Sequence, residues 1–218
     1  MGARAYNILV DYCDKISEGV IVEMGASPLM SGEGSTPFFC AYAMNRKDIE
    51  FYCIDLDCNL INQLKFFDKP DNNIHIWCGD GLELLDKIDK PISLAYLDNF
   101  DYIPPDSKHQ QWIFDQKKRY VENFGVELTN ENSAEVHLKQ TMKVVDKMAE
   151  RSIILFDDTW EVETGTTFRK ELVADEPHNG WYGKGATAVP WLLERGWRLL
   201  PKPMRGRDDW TALCNFDL

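Results

Sequence analysis

The acids that close apolar runs are the side chains best placed to do chemistry in this sequence. Asp55 ends the run 51–54, Asp80 sits in Gly79-Asp80-Gly81 after 74–77, Asp98 ends 92–97, and Asp157-Asp158 follow 152–156. A carboxylate at the end of a buried strand can accept hydrogen bonds from both hydroxyls of a ribose. Ahead of these acids stands Val20 to Ser35, VIVEMGASPLMSGEGS, in which an apolar run ends in Glu23, passes Gly25 and reaches Gly32, Gly34 and Ser35. Glycines permit positive φ and close approach of backbone to a ligand, and a helix start offers unpaired N–H groups. A glycine turn facing a strand-end acid suits a nucleoside.

The elements that must hold these residues alternate between strand and helix. Helical spacing covers 3–18, with Gly19 as its stop, and a helix over 36–44 follows the glycine loop, with Ser35 as its cap and Pro37 in its first turn. Strands at 51–54, 74–77 and 92–97 are separated by helices at 59–67 and 82–88. Residues 99–132 break the alternation. They are polar, carry Pro104-Pro105, include an amphipathic piece at 112–124, and read as an insertion over the carboxyl edge of the sheet, a lid or a substrate wall. A helix over 134–150, capped by Asn132 or Ser133, leads to a strand at 152–156, and 159–182 reads as irregular. After Gly183-Lys184-Gly185 and a helix at 186–195, strands 197–200 and 212–216 have no helix between them and so pair antiparallel. The expected fold is α/β and Rossmann-like: a seven-stranded, mostly parallel sheet with a C-terminal antiparallel hairpin, helices on both faces, and one domain over 1–218.

Composition narrows the partners. Hydrophobic content of 44% and charged content of 28% fit a globular protein. A net charge of -12 argues against a nucleic-acid partner, whose phosphates are bound by Lys and Arg. No apolar stretch approaches the ~20 residues of a membrane span, and the first residues lack a secretory signal's layout, so the expected location is cytoplasmic. The six cysteines show no CxxC pair and no metal spacing, and read as reduced packing residues. Oligomeric state, a homo-oligomer included, is left open.

Glu23-Met24-Gly25 with Gly34-Ser35, then Asp55, Gly79-Asp80-Gly81, Asp98 and the final hairpin, resemble the class I S-adenosylmethionine-dependent methyltransferases over nearly the whole chain. The resemblance implies that the glycine loop wraps the amino-acid part of the cofactor, the acid after the second strand holds the ribose, and the residues after the third read the adenine edge. The cofactor-binding residues it implies are Glu23, Gly25, Ala26, Gly32, Gly34, Ser35, Asp55, Leu56, Asp80, Gly81 and Asp98. One departure is the loop between Gly25 and Gly32, longer than the family's usual turn.

Asp98, Asp157 and Asp158 would meet at the sheet edge, where unpaired anions repel and a hard divalent cation, Mg2+ or Mn2+, would relieve them. This resembles the metal-dependent O-methyltransferases of catechol and of macrolide or cephamycin sugars. It implies a metal-aligned hydroxyl on a small hydroxylated acceptor, with no nucleic acid and no membrane involved. The other reading of Asp158-Thr-Trp-Glu161 is a capping box that starts a helix. Through that metal Asp98 would be a catalytic residue; for the proton acceptor the candidates are Asp101, His109, His137 and Lys184, the last because its flanking glycines would let its loop move. Trp112, Phe114, Trp160, Trp181 and Tyr182 could wall the substrate. The alternative functions are an NAD(P)-dependent Rossmann oxidoreductase, which the long first loop disfavours, and a non-catalytic methyltransferase-like binding subunit.

Overall fold

The computed structural model describes residues 8–29, 34–103, 110–161, 180–201 and 210–218. Its strands are β1 (Gly19–Met24), β2 (Ile49–Asp55), β3 (Ile74–Cys78), β4 (Ile92–Leu97), β5 (Met148–Phe156), β6 (Thr159–Glu161), β7 (Trp181–Gly183), β8 (Arg198–Leu199) and β9 (Thr211–Cys214). Its α-helices are α1 (Ile8–Tyr12), α2 (Ser35–Met44), α3 (Cys58–Leu64), α4 (Gly81–Leu85), α5 (Gln111–Phe124), α6 (Asn130–Val145) and α7 (Ala188–Leu193).

Seven strands form one sheet in the order β3-β2-β1-β4-β5-β9-β8. The first five are parallel, and β9 runs antiparallel between β5 and β8. Because successive strand residues point to opposite faces, the apolar runs feed two cores. Ile21, Phe51, Leu94 and Leu155 pack with Leu9, Phe39 and Ile61 of α1, α2 and α3. Val20, Val22, Ala95 and Ile154 pack with Leu85, Val144 and Val189 of α4, α6 and α7 on the other face. Burial on both faces is why these runs are continuously apolar rather than alternating. The strand order switches from outward on one side to outward on the other between β1 and β4, so the crevice beyond their carboxyl ends is where such a sheet receives a ligand.

The expected sheet, its hairpin and its helical faces are all present. Several details differ. The region read as irregular contains the β6–β7 hairpin, so Thr159 to Glu161 is strand, and Asp158 starts no helix. Thr129, not Asn132 or Ser133, caps α6 by accepting from the Asn132 N–H, and the helix gives way to β5 at Met148. Gly34 rather than Ser35 is the N-cap of α2. Cys58 and Cys78, read as reduced, are joined by a disulfide with Cα atoms 5.2 Å apart. The sequence hides this because the β2–β3 register sets Cys78 beside Asp55, three residues before Cys58, although the two cysteines are 20 apart in the chain. Among the described residues no helix is long and apolar enough to cross a membrane.

Candidate functional site

The strand ends open onto a cavity of about 640 Å³. Gly25, Ala26, Asp55, Leu56, Asp57, Asp80, Gly81, Asp98 and Asp101 line it, so acids from the ends of β2, β3 and β4 do share one rim.

Gly25 sits where β1 and β4 part. Its φ is +101°, and a Cβ there would lie 2.5 Å from both the Asn99 N and the Asp98 carbonyl carbon, so only glycine lets the two strand ends come so close. The next residue, Ala26, donates its N–H to Asp55 Oδ2 at 2.8 Å, while Asp55 Oδ1 accepts from the Asp57 N–H at 2.7 Å. Each oxygen spends one lone pair on the loops and keeps another for a diol. Burial raises the Asp55 carboxyl above its ordinary value, and these backbone donors work against that rise. Asp80 caps α4 by accepting from the Leu82 N–H at 2.7 Å. Gly81 lies beneath Met24 Sδ, which a Cβ would approach to 3.1 Å.

Glu23 is fully buried under the first loop and does not line the cavity. Its Oε2 accepts from Thr36 Oγ1 at 2.6 Å, and Thr36 exchanges two hydrogen bonds with Ser27, so Glu23 braces the loop from below. Burial pushes its carboxyl up to about 8. Gly34 and Ser35 also stay out of the cavity lining, and Gly32 and His109 lie outside the described residues.

The acidic trio is gathered, but around an ammonium. Lys184, 3% exposed, places Nζ 2.8 Å from Asp98 Oδ1 and 3.4 Å from Asp158 Oδ2. Burial alone would pull this lysine down, but the charges of Asp98, Asp158 and Asp157 hold it well above the ordinary value. It is therefore a fixed cation, not the mobile base its glycines suggested. Those glycines serve packing: Gly183 has φ +90°, and a Cβ on it would fall 1.7 Å from the Asp158 carbonyl oxygen. Asp157 is driven well above the usual carboxyl range by burial and by its acidic neighbours, Asp98 first. Among the described residues no group of three His, Cys, Asp or Glu could hold a metal ion, and the expected dication is unsupported: the Lys184 ammonium stands between Asp98 and Asp158.

His137 is completely buried and does not line the cavity. Its Nδ1 lies 2.7 Å from the Ser133 carbonyl, which fixes the proton on Nδ1 and leaves Nε2 as a lone pair. Burial, with the Lys184 charge adding, lowers this imidazole to about 4. Asp98 is braced on both oxygens, by Lys184 and by Tyr96 OH at 3.2 Å.

Helix α5 roofs the cavity through Gln116, Arg119, Tyr120 and Phe124. Arg119 donates to Asp57 Oδ2 at 2.6 Å, joining roof to rim. The aromatic walls are Phe100, Tyr120 and Phe124. The expected ones lie elsewhere: Trp112 and Phe114 are exposed, and Trp160, Trp181 and Tyr182 pack in the small hairpin. Asp57, Arg119, Tyr120 and Gln140 were not foreseen. An Asp one residue before a helix is a readable cap signal, whereas no local pattern marks which face of α5 looks down.

Structural comparison places this architecture among known folds. A candidate rRNA methylase from Clostridium thermocellum superposes with a TM-score of 0.52 at 14% identity, covering 98% of this chain and 97% of that one. A candidate methyltransferase from Streptococcus mutans, in complex with SAH, gives 0.51 at 12% identity and covers 98% of each chain. Aeropyrum pernix fibrillarin with natively bound S-adenosyl-L-methionine gives 0.51 at 12% identity, covering 96% of this chain and 75% of that one. The chain has a Rossmann-like methyltransferase fold. No protein-family model matches the sequence, and no curated protein does. The cavity described above lies at the sheet's switch point, and α5 contributes to its lining.

Proposed function

We propose that this chain is an S-adenosylmethionine-dependent methyltransferase that methylates a hydroxyl of a small molecule. The observation that carries this reading is the cavity at the parting of β1 and β4, with Asp55, Asp80 and Asp98 on its rim. Residues and cofactor fit: Asp55 keeps free lone pairs toward a ribose, Asp80 faces the position of a base, and Gly25 leaves backbone exposed for the amino-acid end. The bound cofactor supplies a methyl group on a sulfonium, open to displacement by an oxygen lone pair.

The chain's own residues orient and deprotonate the acceptor. Asp101 lines the cavity with Asp98 and has no side-chain partner among the described residues; it would take the acceptor's O–H proton, while the bound cofactor would supply the methyl group, its S–C bond breaking to leave a neutral thioether as the acceptor's C–O bond forms. Lys184 is held in its ion pairs and His137 is fully buried, and neither lines the cavity, so neither serves as the base. No dication enters the step, because the ammonium already occupies the space between the acids. The acidic rim favours a neutral acceptor and opposes phosphate-rich ones.

Calorimetry tests the reading directly. S-adenosylhomocysteine is expected to bind the full chain and NAD not to; binding of NAD alone, or of neither to folded protein, would sink it. Asp101→Asn is expected to lower turnover about 100-fold or more, the usual weight of a positioned base.

A further inference from the structure

Two of the cysteines differ from the rest in both bonding and place. Cys40, Cys53 and Cys214 are buried thiols in one of the sheet cores and Cys13 is a half-buried thiol, whereas Cys58 and Cys78 are joined, with Cys58 exposed and Cys78 half-buried. A bridge that solvent reaches is open to thiol–disulfide exchange. It also stands at the mouth of the cavity. Cys58 follows Asp57 and Cys78 precedes Gly79 and Asp80, and those three neighbours all line the cavity.

The bridge sits where backbone pairing stops. The β2–β3 ladder ends at the pair Asp55–Cys78, and beyond it the chain leaves into α3 on one side and toward α4 on the other. Two hydrogen bonds persist past that point, from the Gly79 N–H to the Asp55 carbonyl at 2.9 Å and from the Asp57 N–H to Asp55 Oδ1 at 2.7 Å. Both end on Asp55. The disulfide instead joins the first residue of α3 to the last residue of β3. Gly79 holds φ +151°, and a residue without a Cβ leaves such a setting readily. Cutting the bridge therefore lets Asp80 swing about Gly79 and Asp57 shift with the first turn of α3, while the ladder from Phe51–Ile74 to Asp55–Cys78 holds the sheet in either state.

We infer that Cys58–Cys78 is a redox switch on the cavity: the closed disulfide holds the rim at Asp57 and Asp80 in the shape that receives a ligand, and reduction to two thiols loosens that rim and weakens binding. The reductant is a dithiol. One of its thiolates attacks Cys58 Sγ, the S–S bond breaks and Cys78 Sγ leaves; the second sulfur of the dithiol then displaces Cys58 from the mixed disulfide. Two electrons and two protons pass to the protein, and the dithiol ends as its own disulfide. A rim held in its bound shape has less freedom to lose when the ligand arrives, so the oxidised form binds more tightly. The weakening of cofactor binding rests on the function proposed above; the loosening of the rim does not.

Calorimetry with S-adenosylhomocysteine on the full chain, before and after dithiothreitol, tests the switch. Thiol labelling of the unfolded protein should count the four thiols Cys13, Cys40, Cys53 and Cys214 before reduction and all six cysteines after it. Reduction is expected to raise the Kd about fivefold or more, and reoxidation to restore it. Cys58→Ser with Cys78→Ser is expected to bind as the reduced wild type does and to ignore dithiothreitol. The switch is overturned by one Kd for both states, by a double variant that binds as the oxidised protein does, or by six thiols that oxidised dithiothreitol cannot close. Should S-adenosylhomocysteine bind neither state, the cofactor reading falls and hydrogen–deuterium exchange decides the inference. Amides 58–60 and 79–82 should then exchange about tenfold faster in the reduced protein with β1 to β5 unchanged, and equal rates overturn it.

Discussion

Replacing Asp55 by alanine tests the nucleoside reading at its most exposed point. Its carboxylate accepts the Ala26 and Asp57 N–H groups at 2.8 and 2.7 Å, and the remaining lone pairs face the cavity. Hydrogen bonds to a charged acceptor are worth roughly 1.5–3 kcal/mol each, so losing both ribose bonds costs about 3 kcal/mol even at the low end. That is a rise of about 150-fold in the Kd for S-adenosylhomocysteine, measured by calorimetry. The stability cost, read from urea unfolding, is smaller, about 1–2 kcal/mol, because water replaces the carboxylate at the two backbone donors. A cofactor analogue lacking the 2′-hydroxyl should bind wild type more weakly than the parent does, yet bind Asp55→Ala equally. The reasoning fails if folded Asp55→Ala keeps its Kd within about threefold of wild type, or if the deoxy analogue loses the same affinity on both proteins.

Other expectations follow from the same geometry. Glu23 has a folded value of about 8 against an ordinary 4.5, so the unfolded chain releases its proton first. Its contribution to stability is full below pH 4.5, declines as pH rises, and is gone above 8, roughly 5 kcal/mol in all; Glu23→Gln should remove this decline from urea titrations run at pH 5 and pH 8. Gly183→Ala should cost about 3 kcal/mol or more, because its Cβ collides with backbone, whereas Gly180→Ala, with φ +87° and open space around it, should cost only about 1 kcal/mol in thermal melts. Arg119→Ala should lower global stability by less than about 1 kcal/mol, since the pair with Asp57 is partly exposed, while raising the KM for cofactor by freeing the roof.

The sheet was legible because both its faces are buried. Continuous runs such as 92–97 and 152–156 leave no other partner than a parallel sheet covered by helices, and the observed strands fall on those runs. Asp55, Asp80 and Asp98 were legible for the same reason, since a parallel sheet delivers its strand ends to one rim. What the sequence concealed were distances across the rim. Glu23 and Asp55 both look like ligands in one dimension, yet side-chain alternation along β1 turns Glu23 down onto Thr36. Lys184 lies 86 residues from Asp98, and nothing local announces that a hairpin returns it to the acids at the end of β5. Carboxylate repulsion was the right problem; the sequence could not say that a lysine already solves it.

The roof helix has a thermodynamic consequence of its own. Of its fourteen residues α5 buries only Ile113, which joins Phe100, Ile103 and Leu128 in a small cluster separate from the two sheet cores. Lifting α5 therefore exposes little hydrocarbon and breaks one partly solvated ion pair, a small fraction of what melting the sheet would require. Amide protons over 111–124 should trade with deuterium through a subglobal opening that leaves β1 to β5 protected. Under the proposed function, cofactor and acceptor then exchange at the cost of one helix while the platform beneath keeps its shape.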